Sequence, residues 1–435
     1  MMVIEEKIVP ERYKMTELGE IPVEWEVRLI KEVADVISGG TPSKAVTEYW
    51  NEGTILWATP TDITRNNSKY IYETELSITE LGLKKSSANL LPAGSILMTS
   101  RATIGERSIA TAPISTNQGF KSFVCHDGLS NEYMYYYLEI LKQYFLLNAS
   151  GSTFLEVSKQ VIENQVMAIP PHKEQQKIVE VLSTVDEQIE NTEQLIEKTK
   201  ELKKGLMQQL LTKGIGHTEF KVTEIGEIPV EWEAKKLEDL ISDKVVISHI
   251  DGNHGSLYPR ASEFVDRGTP YISANSIVSG SIDFSKAKYL SEERGNKFKK
   301  GVAKNEDVLF AHNATVGPVA ILKTSAPKVI LSTSLTLYRC DNNFLLPSYL
   351  SYYLDSPMFK IQYQKVMSQT TRNQVPITAQ RKFLFLIPTI QEQEIIANTL
   401  GLVDERINYF TQEKERYTEL KKGLMQQLLT GKIRV

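Results

Sequence analysis

An α/β (α+β) protein built as a pseudo-two-fold internal repeat is predicted by three features of the chain. The stretch ELKKGLMQQLLT occurs identically at 201–212 and 419–430. TELGEIPVEWE at 16–26 returns as TEIGEIPVEWE at 223–233, with only Leu18 replaced by Ile225. Between these anchors both copies carry strand-like runs followed by aromatic-rich helical stretches. The expected architecture is two globular strand-rich domains separated by two long helices that form an antiparallel coiled coil. The boundaries drawn from the repeat are a tail at 1–15, a first domain at 16–168, a helical segment at 169–215, a second domain at 216–386 and a second helical segment at 387–435. Divergence is confined to about 26–166 and 233–385, whereas the segments after them realign without a gap. One frame therefore carries two different readers.

Length and composition bound the classes. The 435 residues leave room for two to four domains, and 41% hydrophobic content lets each bury a core. No run of about 18 apolar residues occurs, and the opening MMVIEEKIVPERYKM is too acidic and too poor in apolar residues for a signal peptide. A cytoplasmic protein with no membrane partner is expected. Cys125 and Cys340 each end an apolar run, FKSFVC and LTLYRC, at matching places in the copies, which favours reduced core positions on strands over a disulfide or metal site. The net charge of −4 counts against a nucleic-acid binder. Binding follows the local field, however, and Lys84, Lys85, Arg101 and Arg107, then Arg294, Lys297, Lys299, Lys300 and Lys304, form basic clusters.

The helical segments show a three-four alternation after Pro170 and Pro171: Ile178, Leu182, Val185, Ile189, Thr192, Ile196, Thr199, Leu202, Leu206 and Leu210. The second copy gives Ile396, Leu400, Val403, Ile407, Phe410, Lys414, Tyr417, Leu420, Leu424 and Leu428, where only Lys414 breaks the seam. Two such seams can pair, and a helix of about 38 residues would be on the order of 57 Å long. Met207 and Met425, outside the seam, are candidates for a partner interface. In the variable parts, GSILMTS, RSIATAP and KSFVC read as strands, as do DVLFAHN, PVAILKT and TSLTLYRC. Helices over 132–145 and 347–362 follow, their aromatics assigned to the core. The loop Ser100-Arg101-Ala102-Thr103-Ile104-Gly105 aligns with His312-Asn313-Ala314-Thr315-Val316-Gly317. Gly214-Ile215-Gly216 reads as a helix stop.

No Asn/Asp-Pro-Pro-aromatic methyltransferase motif, phosphate-binding G-x-x-x-x-G-K-[ST], zinc-spaced Cys/His group or H-E-x-x-H is present in the sequence, and the six histidines are scattered. Catalysis is expected elsewhere, with no metal and no cofactor on this chain.

Two domains, each opened by G-x-I-P-x-x-W (Gly19 to Trp25 and Gly226 to Trp232) and closed by I-P and a helix ending LKKGLMQQLLT, resemble the specificity subunit of a type I restriction-modification system. PHKEQQKIVEVLSTVDEQI, TIQEQEIIANTLGLVDERI and the terminal LLTGKIRV carry the resemblance across essentially the whole chain. It implies two target-recognition domains, each reading half of a bipartite asymmetric site in double-stranded DNA. It also implies helices that set the spacing and dock two methyltransferase (modification) subunits, with restriction and translocase subunits in the full complex. Methyl donor, ATP and magnesium would then sit on those partners.

Base readout needs exposed polar loop residues, because Arg suits guanine and Asn or Gln suits adenine through paired hydrogen bonds. The residues expected at DNA in the first domain are Gly39, Gly40, Thr41, Ser43, Lys44, Thr59, Thr61, Arg101, Thr103, Asn117, Gln118, Ser152 and Thr153. In the second they are His249, Asn253, His254, Asn275, His312, Asn313, Thr315, Gln369, Thr370, Thr371 and Arg372. Arg101 and Asn313 stand out because they hold equivalent loop positions yet differ in type. The competing reading is a two-domain scaffold that assembles proteins through its coiled coil, which the pI of about 6 favours.

Overall fold

A computed structural model describes residues 12–66, 68–151, 155–252, 257–369 and 373–435. The chain divides into two compact units, Met1–Leu195 with Phe410–Val435, and Ile196–Tyr409. This differs from the linear boundaries drawn from sequence. Each long helix, His172–Leu210 and Ile390–Leu428, contributes one stretch to each unit.

In unit 1 a five-stranded sheet runs in the order Ala34–Ser38, Phe120–Cys125, Ile96–Thr99, Arg107–Ala110 and Tyr70–Ile71, antiparallel except for the last, parallel pair. A second sheet places Ile55–Ala58 between Ile114–Thr116, parallel to it, and Leu76–Ile78, antiparallel. Unit 2 repeats the plan. Val246–Asp251, Leu335–Cys340, Val308–Ala311 and Val319–Ile321 form the antiparallel sheet, and Thr269–Ile272 lies parallel to Val329–Leu331 in the second. The central strands Ile96–Thr99 and Val308–Ala311 are buried along their whole length. That explains why they read as continuous apolar runs rather than alternating ones. Cys125 and Cys340 end the strands Phe120–Cys125 and Leu335–Cys340, and burial pushes both thiols up to about 12, which keeps them protonated and unreactive.

The expected aromatic helices form, with one difference. Asn131–Leu147 is continuous, capped by the Ser130 hydroxyl accepting from the Tyr133 N–H, and it buries Tyr133, Tyr136, Tyr137 and Phe145. The unit 2 counterpart is two helices, Pro347–Asp355 and Pro357–Met367. Pro357 forces Ser356 out of helical backbone (ψ 153°), and the Ser356 hydroxyl then caps the second helix by accepting from Phe359.

The seam also departs from its reading in one place per helix. Leu202 and Leu420 are exposed, at 55% and 47%, and the next residues, Lys203 and Lys421, turn inward instead. In unit 1, Lys421 pairs with Asp186 at 2.6 Å, the Tyr136 hydroxyl donates to the same carboxylate at 2.6 Å, and the ammonium lies 5.7 Å from that ring's centroid. In unit 2 the corresponding residues do the same: Lys203 to Asp404 at 2.6 Å, Tyr352 to Asp404 at 2.8 Å, and 5.5 Å to the ring. An inward lysine is therefore compensated by charge, hydrogen bond and ring face together. Lys414, which broke the seam in sequence, pairs with Glu193 at 2.6 Å. Stepping up one helix from Lys414 to Lys421 steps down the other from Glu193 to Asp186, so the two stretches in unit 1 run antiparallel. Met207 and Met425 are buried at 7% and 6%, filling the two cores rather than facing a partner.

The start of each long helix is fastened by the residue pair Glu-Gln. Glu174 accepts from the Trp25 indole at 3.0 Å and from Arg434 at 2.5 and 2.9 Å, while Arg434 also reaches Glu24 at 3.0 Å. In unit 2, Glu392 accepts from Trp232 at 2.8 Å and meets His217 Nε2 at 2.9 Å, and His217 Nδ1 reaches Glu231 at 3.1 Å. Arg434 and His217 thus play one role with different side chains. Gln175 and Gln393, both fully buried, bridge loop backbone: Gln175 accepts from Ser130 N–H and donates to the Gly128 and Pro170 carbonyls, and Gln393 accepts from Leu346 and donates to Phe344 and Pro388. Gly214 and Gly431, past the two helix ends, take φ of +64° and +69°, and a Cβ there would lie 2.4 Å from Glu392 Oε1 and from Pro22 Cδ.

Residues 13–15, expected in the tail, belong to a strand. Tyr13–Thr16 pairs with Gly19–Pro22 as a hairpin, and Phe220–Thr223 with Gly226–Pro229 matches it, down to Lys14 and Lys221 donating to the Val23 and Val230 carbonyls at 2.9 Å.

Arg434→Ala should weaken protection from hydrogen exchange around Trp25 and Glu174 by roughly 1–2 kcal/mol, since a charged hydrogen bond is lost at a half-exposed guanidinium, and leave the Trp232 region unchanged. His217→Ala should do the reverse. Equal loss in both regions from either variant would contradict the assignment.

Candidate nucleic-acid interface

The loops aligned in sequence are built on one backbone plan. In unit 1 the Thr103 N–H donates to the Arg101 carbonyl at 2.6 Å, Gly105 to Thr99 at 2.9 Å and Val157 to Ser100 at 3.0 Å. In unit 2, Thr315 donates to Asn313 at 2.9 Å, Gly317 to Ala311 at 3.0 Å and Val375 to His312 at 2.8 Å. Ala102 and Ala314 both sit in the left-handed region, φ 57° and 64°. Held non-glycine residues of this kind gather at functional loops. Arg101 forms an antiparallel bridge with Glu156, and Asn313 forms one with Gln374. Thr103 and Thr315 are exposed beside them.

What lies behind the loop differs between units. In unit 1 the side chain is Lys121, 7% exposed, whose ammonium donates to Glu156 Oε1 at 3.0 Å; Glu156 Oε2 takes both Nε and Nη2 of Arg101 at 2.8 Å. Against the opposing cost of burial, hydrogen bonds from Lys121 and Arg101 hold the Glu156 carboxyl below its usual range. At the equivalent place in the sheet of unit 2 stands Thr336, within a network of hydroxyl, imidazole and carboxamide side chains. The Thr336 hydroxyl meets His312 Nδ1 at 2.8 Å, His312 Nε2 reaches the Thr333 carbonyl at 3.0 Å, and Gln380 joins His249 (3.1 Å), Tyr338 (2.7 Å), Thr336 (3.2 Å) and the Val375 carbonyl (3.0 Å).

That network corrects two expectations. His249 and His312 are buried, at 5% and 2% exposure, so they stand behind the loop rather than on it. His249 lies on an inner strand face against Tyr338, with ring centroids 4.7 Å apart, and burial lowers its pKa to about 4. Strand alternation could have signalled this, since the register His249↔Tyr338 and Phe310↔Thr336 puts polar side chains into a sheet.

The other expected residues of the first domain gather around the same strand ends. Gly40 N–H donates to the Thr116 carbonyl at 2.9 Å, Asn117 N–H to Ala58 at 3.0 Å, and Ser100 N–H to Gly119 at 2.7 Å; the Thr41 hydroxyl bonds the Gln118 side chain. Gly39 and Gly40 are scaffold, since a Cβ would fall 1.9 Å from the Asn117 oxygen and 2.3 Å from the Ser87 carbonyl carbon. Asn117 braces its own turn by accepting from Gly119 N–H at 2.8 Å, and Thr59, ahead of the helical turn Pro60–Arg65, is held by Asp62, which accepts from its N–H at 2.7 Å and its hydroxyl at 2.6 Å. Ser43, Lys44, Thr61 and Gln118 are exposed. In unit 2, Asn275 is exposed on the turn after Thr269–Ile272, bonded to the Ser273 hydroxyl at 2.6 Å, and Gln369 is exposed just past Pro357–Met367. Ser152, Thr153, Asn253, His254, Thr370, Thr371 and Arg372 lie outside the described residues. Sequence reasoning missed Glu156, Lys121, Gln374 and Gln380, which reach the loops only through folding. One residue in each of two basic clusters is tied inward: Arg107 donates to the Tyr135 carbonyl and Glu139, and Arg294 to Glu263 and the Leu257 carbonyl, while Lys297, Lys299, Lys300 and Lys304 are exposed.

A duplicated helical frame carrying two strand-rich domains with matched loops and unmatched side chains defines a paired recognition module. The family model described as the type I restriction modification DNA specificity domain matches residues 22–201 and 229–421. The chain is 27% identical over 442 residues to the type I restriction enzyme MjaVIII specificity subunit of Methanocaldococcus jannaschii, covering 100% of this chain and 99% of that one. It is 32% identical over 307 residues to the MjaIX specificity subunit of the same organism, covering 68% of each. The fold matches a type I restriction-modification S subunit from M. genitalium (TM-score 0.55, 15% identity, 93% of this chain and 96% of that one). A chain from a structure describing complex assembly of the type I system matches with TM-score 0.60 at 17% identity, over 95% and 99%. The protein belongs to the type I restriction-modification DNA specificity family, and its function is recognition of DNA sequence. Among the described residues, no helix is long and apolar enough to cross a membrane.

The folded-state pKa of His249, about 4, lies below its unfolded value of about 6.5, so the unfolded chain binds the extra proton first. Stability should therefore fall as pH drops from about 6.5 to about 4, by a cumulative loss on the order of 3 kcal/mol from this group. Denaturant melts of His249→Gln should show a correspondingly shallower acid loss than the wild type, and parallel pH curves would contradict the assignment.

Proposed function

We propose that this chain is a non-catalytic specificity subunit that reads a bipartite, asymmetric site in double-stranded DNA, one half-site per variable domain. The long helices set the unread interval between half-sites and dock two methyltransferase subunits; restriction and translocase subunits join in the full complex. Methyl donor, ATP and magnesium belong to those partners, and the complex works in the cytoplasm. The observation that carries this reading is the pair of loops at 100–105 and 312–317, which share three backbone hydrogen bonds and a left-handed alanine and differ in the side chains presented. A frame kept constant around changed contact residues is what two different half-sites require. The acidic total charge is compatible with it, because phosphate contact depends on local cations at those loops.

Docking of two partners is supported by Leu202 and Leu420, the exposed leucines at corresponding places of the repeated ELKKGLMQQLLT. Replacing either by Glu should weaken binding of one modification subunit roughly tenfold or more, as loss of a buried anchor at an interface does, and the double variant should lose both. Unchanged stoichiometry of the purified complex would remove these leucines from the docking surface.

The reading itself is tested by single-molecule mapping of N6-methyladenine in cells expressing the chain with its modification subunit, against cells without the chain. A two-part motif that depends on the chain, one half changing when 26–166 is exchanged and the other when 233–385 is exchanged, is the expected result. In solution, duplex affinity should fall steeply with salt, with a log–log slope of about −0.9 per phosphate contacted. Salt-independent or absent binding by the assembled complex would favour a scaffold.

A further inference from the structure

The structure assigns a base preference to each of the paired loops. In unit 1, Lys121 fixes Glu156 from below by its contact with Oε1, and Glu156 Oε2 then occupies the side edge of the Arg101 guanidinium, Nε with Nη2, at 2.8 Å. The end edge, Nη1 with the remaining Nη2 hydrogen, points away from that carboxylate, and the Arg101 side chain is 41% exposed. Two parallel donors match the paired acceptors O6 and N7 of guanine in the major groove. Pre-ordering by a carboxylate reduces the rotamer freedom lost on contact.

In unit 2 the same bridge joins Asn313 to Gln374, both half-buried, and neither carboxamide makes a hydrogen bond within the described residues. A carboxamide offers one donor beside one acceptor, which matches N6 and N7 of adenine. The exchange runs deeper than the contact residues. Where unit 1 has Lys121, unit 2 has Thr336 hydrogen-bonded to His312, so among the described residues no buried lysine or arginine stands at that sheet position to hold an acidic residue at position 374. Charge behind the loop and charge on the loop change together.

We propose that Arg101 and Asn313 read the geometrically equivalent base of the two half-sites, Arg101 a guanine and Asn313 an adenine, with Glu156 and Lys121 as positioning residues for Arg101. The inference rests on the half-site reading above and adds to it the source of the site's asymmetry.

Methylation mapping on the complete complex tests it with Arg101→Ala, Glu156→Ala, Glu156→Asp and Asn313→Ala. The wild-type motif is expected to hold a guanine in the half-site of 26–166 that Arg101→Ala renders degenerate, with preference reduced roughly 10- to 100-fold at that one position. The other half-site should stay unchanged. Glu156→Ala should relax the same position and no other, with partial retention in Glu156→Asp, which a purely structural role would not produce. Asn313→Ala should relax one adenine in the opposite half. A motif unaltered by Arg101→Ala, or relaxed in the wrong half, overturns the assignment while leaving the half-site reading intact. A wild-type chain that directs no motif overturns that reading itself. Co-purification with the modification subunit and thermal melting establish that each variant folds, and if Arg101→Ala does not, Asn313→Ala carries the same test in the other unit.

Discussion

Each unit depends on a carboxylate held from two sides. Asp186 accepts from Tyr136 of its own repeat and from Lys421, which comes from the helix of the other; Asp404 accepts from Tyr352 and from Lys203 in the same manner. The aspartate would be costly to leave half-buried with one partner, and the inward lysine likewise. Neither repeat can satisfy its own set. One copy alone would leave an aspartate without its cation and a lysine without its anion.

The same logic governs the helix starts. Trp25 and Trp232 each bring an indole N–H to a glutamate at the first turn, but the side chain completing the group is the Arg434 guanidinium in one unit and the His217 imidazole in the other. The role survives while the residue changes, because what the site demands is a nitrogen side chain that reaches two carboxylates rather than one side-chain shape. The frame is thereby kept stiff at the places where a variable domain is inserted, and the inserted loops can differ without disturbing it.

Function follows from that separation. The loops after the central strands Ile96–Thr99 and Val308–Ala311 share three backbone hydrogen bonds and a left-handed alanine, yet one rests on Lys121 and Glu156 and the other on His312, Thr336 and Gln380. What lies behind and upon the turn is exchanged while the turn itself is kept.

The repeat, the strands, the long helices, the equivalence of the two loops and the family were all legible in the sequence. Periodicity and identity are local properties that survive in a string of letters. What only the tertiary structure decided were choices among neighbours one residue apart and partners far apart in the chain. Leu202 and Lys203 are both able to enter a seam; the seam takes the lysine because Asp404 and Tyr352 await it. His249 and His312 look like loop residues until the sheet register buries them. Glu156 is 55 positions from Arg101 and 35 from Lys121. No spacing rule links them, because their meeting is produced by strand pairing and not by sequence separation.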